Sequence, residues 1–119
     1  MPKCFAPAVL ALLCLPWTAA AADVCTAPAP PALPETAAGL TRAALDAAAQ
    51  RLSAYTRTMH AYQECLDSII TDPASHTHAQ WRAALKAYNA SAPALEKAWQ
   101  AYQKLKQNWS AAHRASARQ

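Results

Sequence analysis

The sequence predicts an all-α fold: a long antiparallel helical hairpin with an extended, proline-rich N-terminal arm tied back by one disulfide. Three observations carry this. Apolar residues recur at alternating three- and four-residue spacings over two long segments, a Thr-Asp-Pro stop separates those segments, and four prolines crowd the stretch before the first. In chain order the reading is a signal peptide at 1–22, the arm at 23–40, helix 1 at 41–71, a turn at 72–76, helix 2 at 77–110 and a basic tail at 111–119.

Met1-Pro-Lys3 is a short basic start, Cys4 to Trp17 is apolar but broken by Pro7 and Pro16, and Ala20-Ala21-Ala22 places small residues before a cut ahead of Asp23. A membrane anchor would need about 20 uninterrupted apolar residues. The segment therefore reads as a secretory signal, with no transmembrane anchor after cleavage. High alanine and arginine usage with a single glycine looks bacterial, so the expected location is the periplasm or the medium. Cys4 and Cys14 would leave with the signal. Cys25 and Cys65 would remain in an oxidising compartment, where one intramolecular bridge is the first expectation and two free thiols or an intermolecular bridge are the alternatives.

Fewer than 100 residues then remain, and much of the 54% hydrophobic content is alanine, which favours helix but buries little area. Pro28, Pro30, Pro31 and Pro34 keep the arm extended, close to polyproline II. Thr41 is the expected N-cap of helix 1, whose seam runs Leu45, Ala48, Leu52, Tyr55, Met59, Tyr62, Leu66 and Ile69, a heptad pattern of the coiled-coil kind. Thr71-Asp72-Pro73 stops it. Thr77-His78-Ala79-Gln80 reads as a capping box opening helix 2, whose seam is Trp81, Leu85, Tyr88, Ala92, Leu95, Trp99, Tyr102, Lys106 and Trp109, with a bend near Pro93. Folded antiparallel, the seams fall into layers from Ile69 with Trp81 to Ala48 with Tyr102, and large residues face small ones at Met59 with Ala92 and at Ala48 with Tyr102.

From Thr41 to Cys65 a helix rises about 36 Å, and the arm from Cys25 to Thr41 can span about 50 Å as polyproline II, so it reaches back to Cys65. Cys25 with the spaced prolines, the Ala-Tyr-x3-Met-x-Ala-Tyr-x2-Cys-Leu-Asp run from Ala54 to Asp67, and Tyr88-Asn89 in the second helix together resemble an uncharacterised family of small exported α-helical proteins of proteobacteria. That resemblance implies the helical hairpin and the Cys25 to Cys65 pairing, and it brings no activity. The chain departs from the family pattern in Pro93 and in its basic C-terminal extension.

Function is less marked. Gly39 alone excludes a glycine-rich phosphate loop, no nucleophile has a base beside it, and the Glu64 and Asp67 pair sits on an outward face where nothing buries either. No catalytic residue, no cofactor and no nucleic-acid partner is expected, and the chain reads as not an enzyme. After Glu96 no acid follows, while Lys97, Lys104, Lys106, Arg114 and Arg118 accumulate around Trp99, Tyr102 and Trp109. This basic end would suit a protein or anionic envelope partner, and Trp109, facing only Thr41, is expected to have little cover. The leading expectation is a non-enzymatic periplasmic or secreted interaction module. The alternatives are copper or zinc binding through His76 and His78 at the hairpin apex, and a chaperone-like holdase, although the Leu-Thr-x-x-Gln repeats of small envelope-stress holdases are absent. Ile70 and Leu105, read as partly bare flanks, would also allow a homodimer in the form of a four-helix bundle.

Overall fold

The computed structural model describes residues 25–118, so the expected signal segment, with Cys4 and Cys14, lies outside the described residues. Two helices pack side by side. Helix α1 spans Arg42–Ile70, a single 3₁₀ turn spans Pro73–Ser75, and helix α2 spans His78–Ala117. Among the described residues there is no strand, and no helix is long and apolar enough to cross a membrane.

Local chemistry sets the boundaries. The Thr41 side chain accepts the Ala44 N–H at 3.1 Å and caps α1. At the start of α2 the Gln80 N–H donates to Thr77 Oγ1 at 3.1 Å, and the Thr77 N–H donates to Gln80 Oε1 at 2.9 Å, completing the capping box. The C-terminal end differs from expectation: α2 does not stop near residue 110 but runs through the expected basic tail to Ala117. That stretch is alanine-rich and holds neither glycine nor proline, and Arg114 in the last turn complements the helix dipole.

The α1 seam is the expected one. Leu45, Ala48, Leu52, Tyr55, Met59, Leu66 and Ile69 are buried, and Tyr62 is half-buried. The antiparallel alignment is marked by hydrogen bonds along the pair: Trp81 Nε1–H to the Ile70 carbonyl, Gln63 Nε2–H to Ser91 Oγ, Trp99 Nε1–H to Thr56 Oγ1 and Trp109 Nε1–H to the Leu40 carbonyl.

The α2 seam is corrected. Trp81, Leu95, Tyr102 and Trp109 are half-buried as expected, but the alternating positions between them are Ala84, Ser91 and Leu105, all buried, with Ala98 half-buried. Tyr88, Ala92, Trp99 and Lys106 are exposed instead, and Leu85 is only half-buried. The inward face is thus rotated by one residue. Two physical reasons favour it: Ala84, Ser91 and Ala98 let the backbones approach, and a Lys106 turned inward would have buried an unpaired charge. The arm supplies a third. Leu33, Ala37 and Leu40 pack with Tyr102 and Trp109 on the cluster of Leu45, Ala48 and Leu105, a third layer that turns α2 toward the arm. Leu105 is therefore core, while Ile70 is the half-buried flank expected of it. Ser91, the one buried polar residue described, is satisfied, because its hydroxyl donates to the Tyr88 carbonyl and accepts from Gln63.

The arm carries no regular secondary structure from Cys25 to Leu40. Cys25 and Cys65 form the intramolecular bridge, with Cα atoms 5.7 Å apart, and Cys25 is buried with Leu66, Ile69 and Ala84. Arg51 donates to the Ala32 carbonyl midway along. At the other end the Leu40 N–H closes a turn onto the Ala37 carbonyl, and Gly39 within it has φ +70°, a left-handed conformation that other residues adopt at a cost.

Removing the bridge by Cys25→Ser with Cys65→Ser should lower the unfolding free energy by about 4 kcal/mol, from the entropy of a 40-residue separation. Urea titration of the oxidised and doubly substituted proteins measures this; unchanged midpoints would show that the bridge is incidental. Pro93 lies inside an unbroken α2, where it leaves the carbonyl of exposed Asn89 without its helical donor. Pro93→Ala should accordingly raise the urea midpoint, by about 1–3 kcal/mol in free energy.

Candidate functional site

Where the arm crosses the hairpin it stands away from part of α2, leaving a groove of about 580 Å³. One wall is the arm, through Pro30, Pro31, Leu33 and Pro34; the other is α2, through Ala94, Ala98, Ala101 and Leu105. The volume lies within the roughly 300–1,000 Å³ range of small-molecule sites. Its width follows from sequence: prolines hold one wall extended, and alanines on the facing helix leave room that longer side chains would fill.

Tyr55 of α1 also lines the groove and is only 6% exposed. Its hydroxyl makes no hydrogen bond with any described residue, while no described polar side-chain atom is both fully buried and unpartnered, so the hydroxyl keeps access to the space around it. Tyr55 also borders a smaller hollow beside Pro28, Ala32 and Arg51, which places it beneath the arm. Three polar groups complete the groove: Lys97 and Lys104 on α2, with Asn108 one turn beyond, while Glu35 contributes the only carboxylate. The single ion pair among the described residues is Arg42 with Asp46 at 3.2 Å, so neither lysine has a carboxylate partner.

The basic residues singled out by sequence therefore separate into groups. Lys97 and Lys104, seven residues apart, share the groove face of α2. Lys106, two residues on, is exposed about 200° around the helix from Lys104 and does not line the groove. Arg114 in the last turn of α2 and Arg118 at its C-cap lie beyond the Trp109 contact with Leu40, and neither lines the groove.

Trp109 is covered, contrary to expectation. Its indole N–H donates to the Leu40 carbonyl at 2.9 Å, its ring stacks on His113 with centroids 3.8 Å apart, and the Arg42 guanidinium lies 5.8 Å from its centroid. The layered pairing of two helices gives it only Thr41; the end of the arm adds the Leu40 carbonyl, and the helices add His113 and Arg42. It therefore anchors the arm instead of presenting a bare ring. The larger exposed aromatics are Tyr88 and Trp99, which are 39% and 41% accessible.

At the apex His78 stacks on Trp81 with ring centroids 6.0 Å apart, and His76 is half-buried beside the 3₁₀ turn. No group of three or more His, Cys, Asp or Glu able to hold a metal ion occurs among the described residues. Glu64 and Asp67 are exposed and border a shallow hollow with His60, Gln63 and Tyr88. The groove itself was not read from sequence, yet the signal is there: spaced prolines that must pass over a helix, opposite alanines at positions 94, 98 and 101.

No family model matches this chain, nor does any curated protein or solved structure.

Substituting Trp109 by alanine should loosen the end of the arm nearest α1 and leave the bridged end in place. We expect a loss of about 2 kcal/mol, roughly half the cost of truncating a fully buried tryptophan. Amide exchange should accelerate around Leu40 to Leu45 but not around Cys65, and uniform acceleration along the chain would contradict this role for Trp109.

Proposed function

We propose that this chain is a non-enzymatic interaction module of the periplasm or the medium, which binds an anionic component of the cell envelope through the groove between its arm and α2. The observation that carries this reading is the juxtaposition of Lys97 and Lys104, both without a carboxylate partner, on an apolar groove walled by the arm and α2. Cationic side chains beside an apolar surface attract ligands that are themselves part anionic and part apolar, and the charge adds long-range steering. The Cys25–Cys65 bridge and the signal-like N-terminal segment support export to an oxidising compartment. Resemblance to small exported helical proteins of proteobacteria is part of the same proposal.

Lys97 and Lys104 on the groove are thus distinct from Lys106, with which the sequence groups them. Bead-bound oxidised protein should retain an envelope component from extract, Lys97→Glu with Lys104→Glu should lose it, and Lys106→Glu should keep it. Equal recovery by all three would remove the groove lysines from the function.

A further inference from the structure

We infer that the occupant of the groove is a single-chain anionic amphiphile, a long-chain carboxylate whose hydrocarbon chain lies between the arm and α2 while its head meets Lys97, Lys104 and the Tyr55 hydroxyl. This rests on the groove reading above and goes further by naming the ligand's chemistry.

The walls select against a peptide. An extended peptide must pair its own C=O groups as well as its N–H groups, but Pro30, Pro31 and Pro34 carry no N–H to offer those carbonyls, and the facing backbone of α2 is occupied by its own helical bonds. A peptide strand lying there would leave polar groups unpaired against proline rings and alanine methyls, which is costly. A peptide helix satisfies its own backbone but is too thick: at 10–12 Å across, about one turn of it would fill 580 Å³. A hydrocarbon chain has neither difficulty. It carries no hydrogen-bonding groups, it is thin, and each methylene removed from water adds to affinity.

The polar groups select the head. Lys97 and Lys104 supply two positive charges, about 10 Å apart along the helix and on flexible stems that can converge on one anion between them. The Tyr55 hydroxyl is a donor left over by the fold, in a residue that is otherwise nearly buried. A carboxylate accepts from both kinds of donor. Glu35 is the one acidic residue lining the groove, and the two lysines outnumber it.

The test is calorimetric titration of the oxidised protein with laurate below its micelle concentration, with polyphosphate as an anion that has no hydrocarbon chain. Laurate should bind one molecule per chain. Ala101→Trp fills the groove from an exposed position on α2 and should weaken binding at least tenfold with an unchanged melting temperature. Lys97→Glu with Lys104→Glu should weaken it by a similar factor, and Tyr55→Phe, which keeps the ring and removes only the hydroxyl, by about threefold to tenfold. Absence of laurate binding to the native protein, or laurate binding indifferent both to Ala101→Trp and to Tyr55→Phe, would overturn the inference. Lysine-dependent binding of polyphosphate with no laurate binding would also overturn it, and would leave the anionic-partner reading standing by itself.

Discussion

The covalent tie between Cys25 and Cys65 is the constraint on which this small fold turns. Two alanine-rich helices meeting along one seam bury little area for the backbone entropy they fix, and a domain of this size has only a narrow margin. The bridge shortens the unfolded chain's repertoire and also decides where the arm goes. With Cys25 buried among Leu66, Ile69 and Ala84, the prolines that follow have one route available, back along the hairpin toward Leu40. The second cluster, of Leu45, Ala48 and Leu105, is then roofed by Leu33, Ala37 and Leu40. A two-layer hairpin becomes, over part of its length, a three-layer structure.

Everything distinctive about the candidate site follows from that third layer. Helical backbones satisfy themselves and prolines have no N–H, so the space between arm and α2 is bounded by surfaces with few backbone donors to offer a guest. The exceptions are polar side chains, Lys97, Lys104, Asn108, Glu35 and the Tyr55 hydroxyl, among which the two lysines have no carboxylate partner. Polar groups used within the fold lie elsewhere, as with Gln63 and Ser91 across the seam or the indole of Trp109 on Leu40.

The contrast between α1 and α2 shows what spacing can convey. The eight seam positions of α1 were readable because its apolar residues are large and its flanking positions polar, leaving a single face to bury. In α2 two faces compete between the shared seam positions 81, 95, 102 and 109, and Tyr88, in phase with them, is exposed. Hydrophobicity favoured Leu85 and Trp99, whereas close approach and the arm favoured Ala84, Ser91, Ala98 and Leu105. That choice depends on a third partner, and periodicity along one helix carries no information about it. The cover of Trp109 is legible only in part for the same reason: Leu40 and Arg42 are distant along the chain, whereas His113, four residues on, is local. The caps at Thr41 and Thr77, by contrast, are local and were fully specified by their own neighbours.

The arm is held at both ends, by a covalent bond beside Leu66 and by the Ala37–Leu40 turn locked under Trp109, with the left-handed Gly39 inside that turn. Mechanically it is a beam with two fixed supports and lighter restraints between them, the exposed Arg51 hydrogen bond to the Ala32 carbonyl and the packing of Leu33. Those lighter restraints fall within Pro30 to Pro34, the wall of the groove, and they give way before either fixed end does. Guests of different girth would therefore be told apart by how far they force the proline stretch to bow, whereas guests of different length would not strain the beam at all. A gauge of this kind reads thickness and is indifferent to reach.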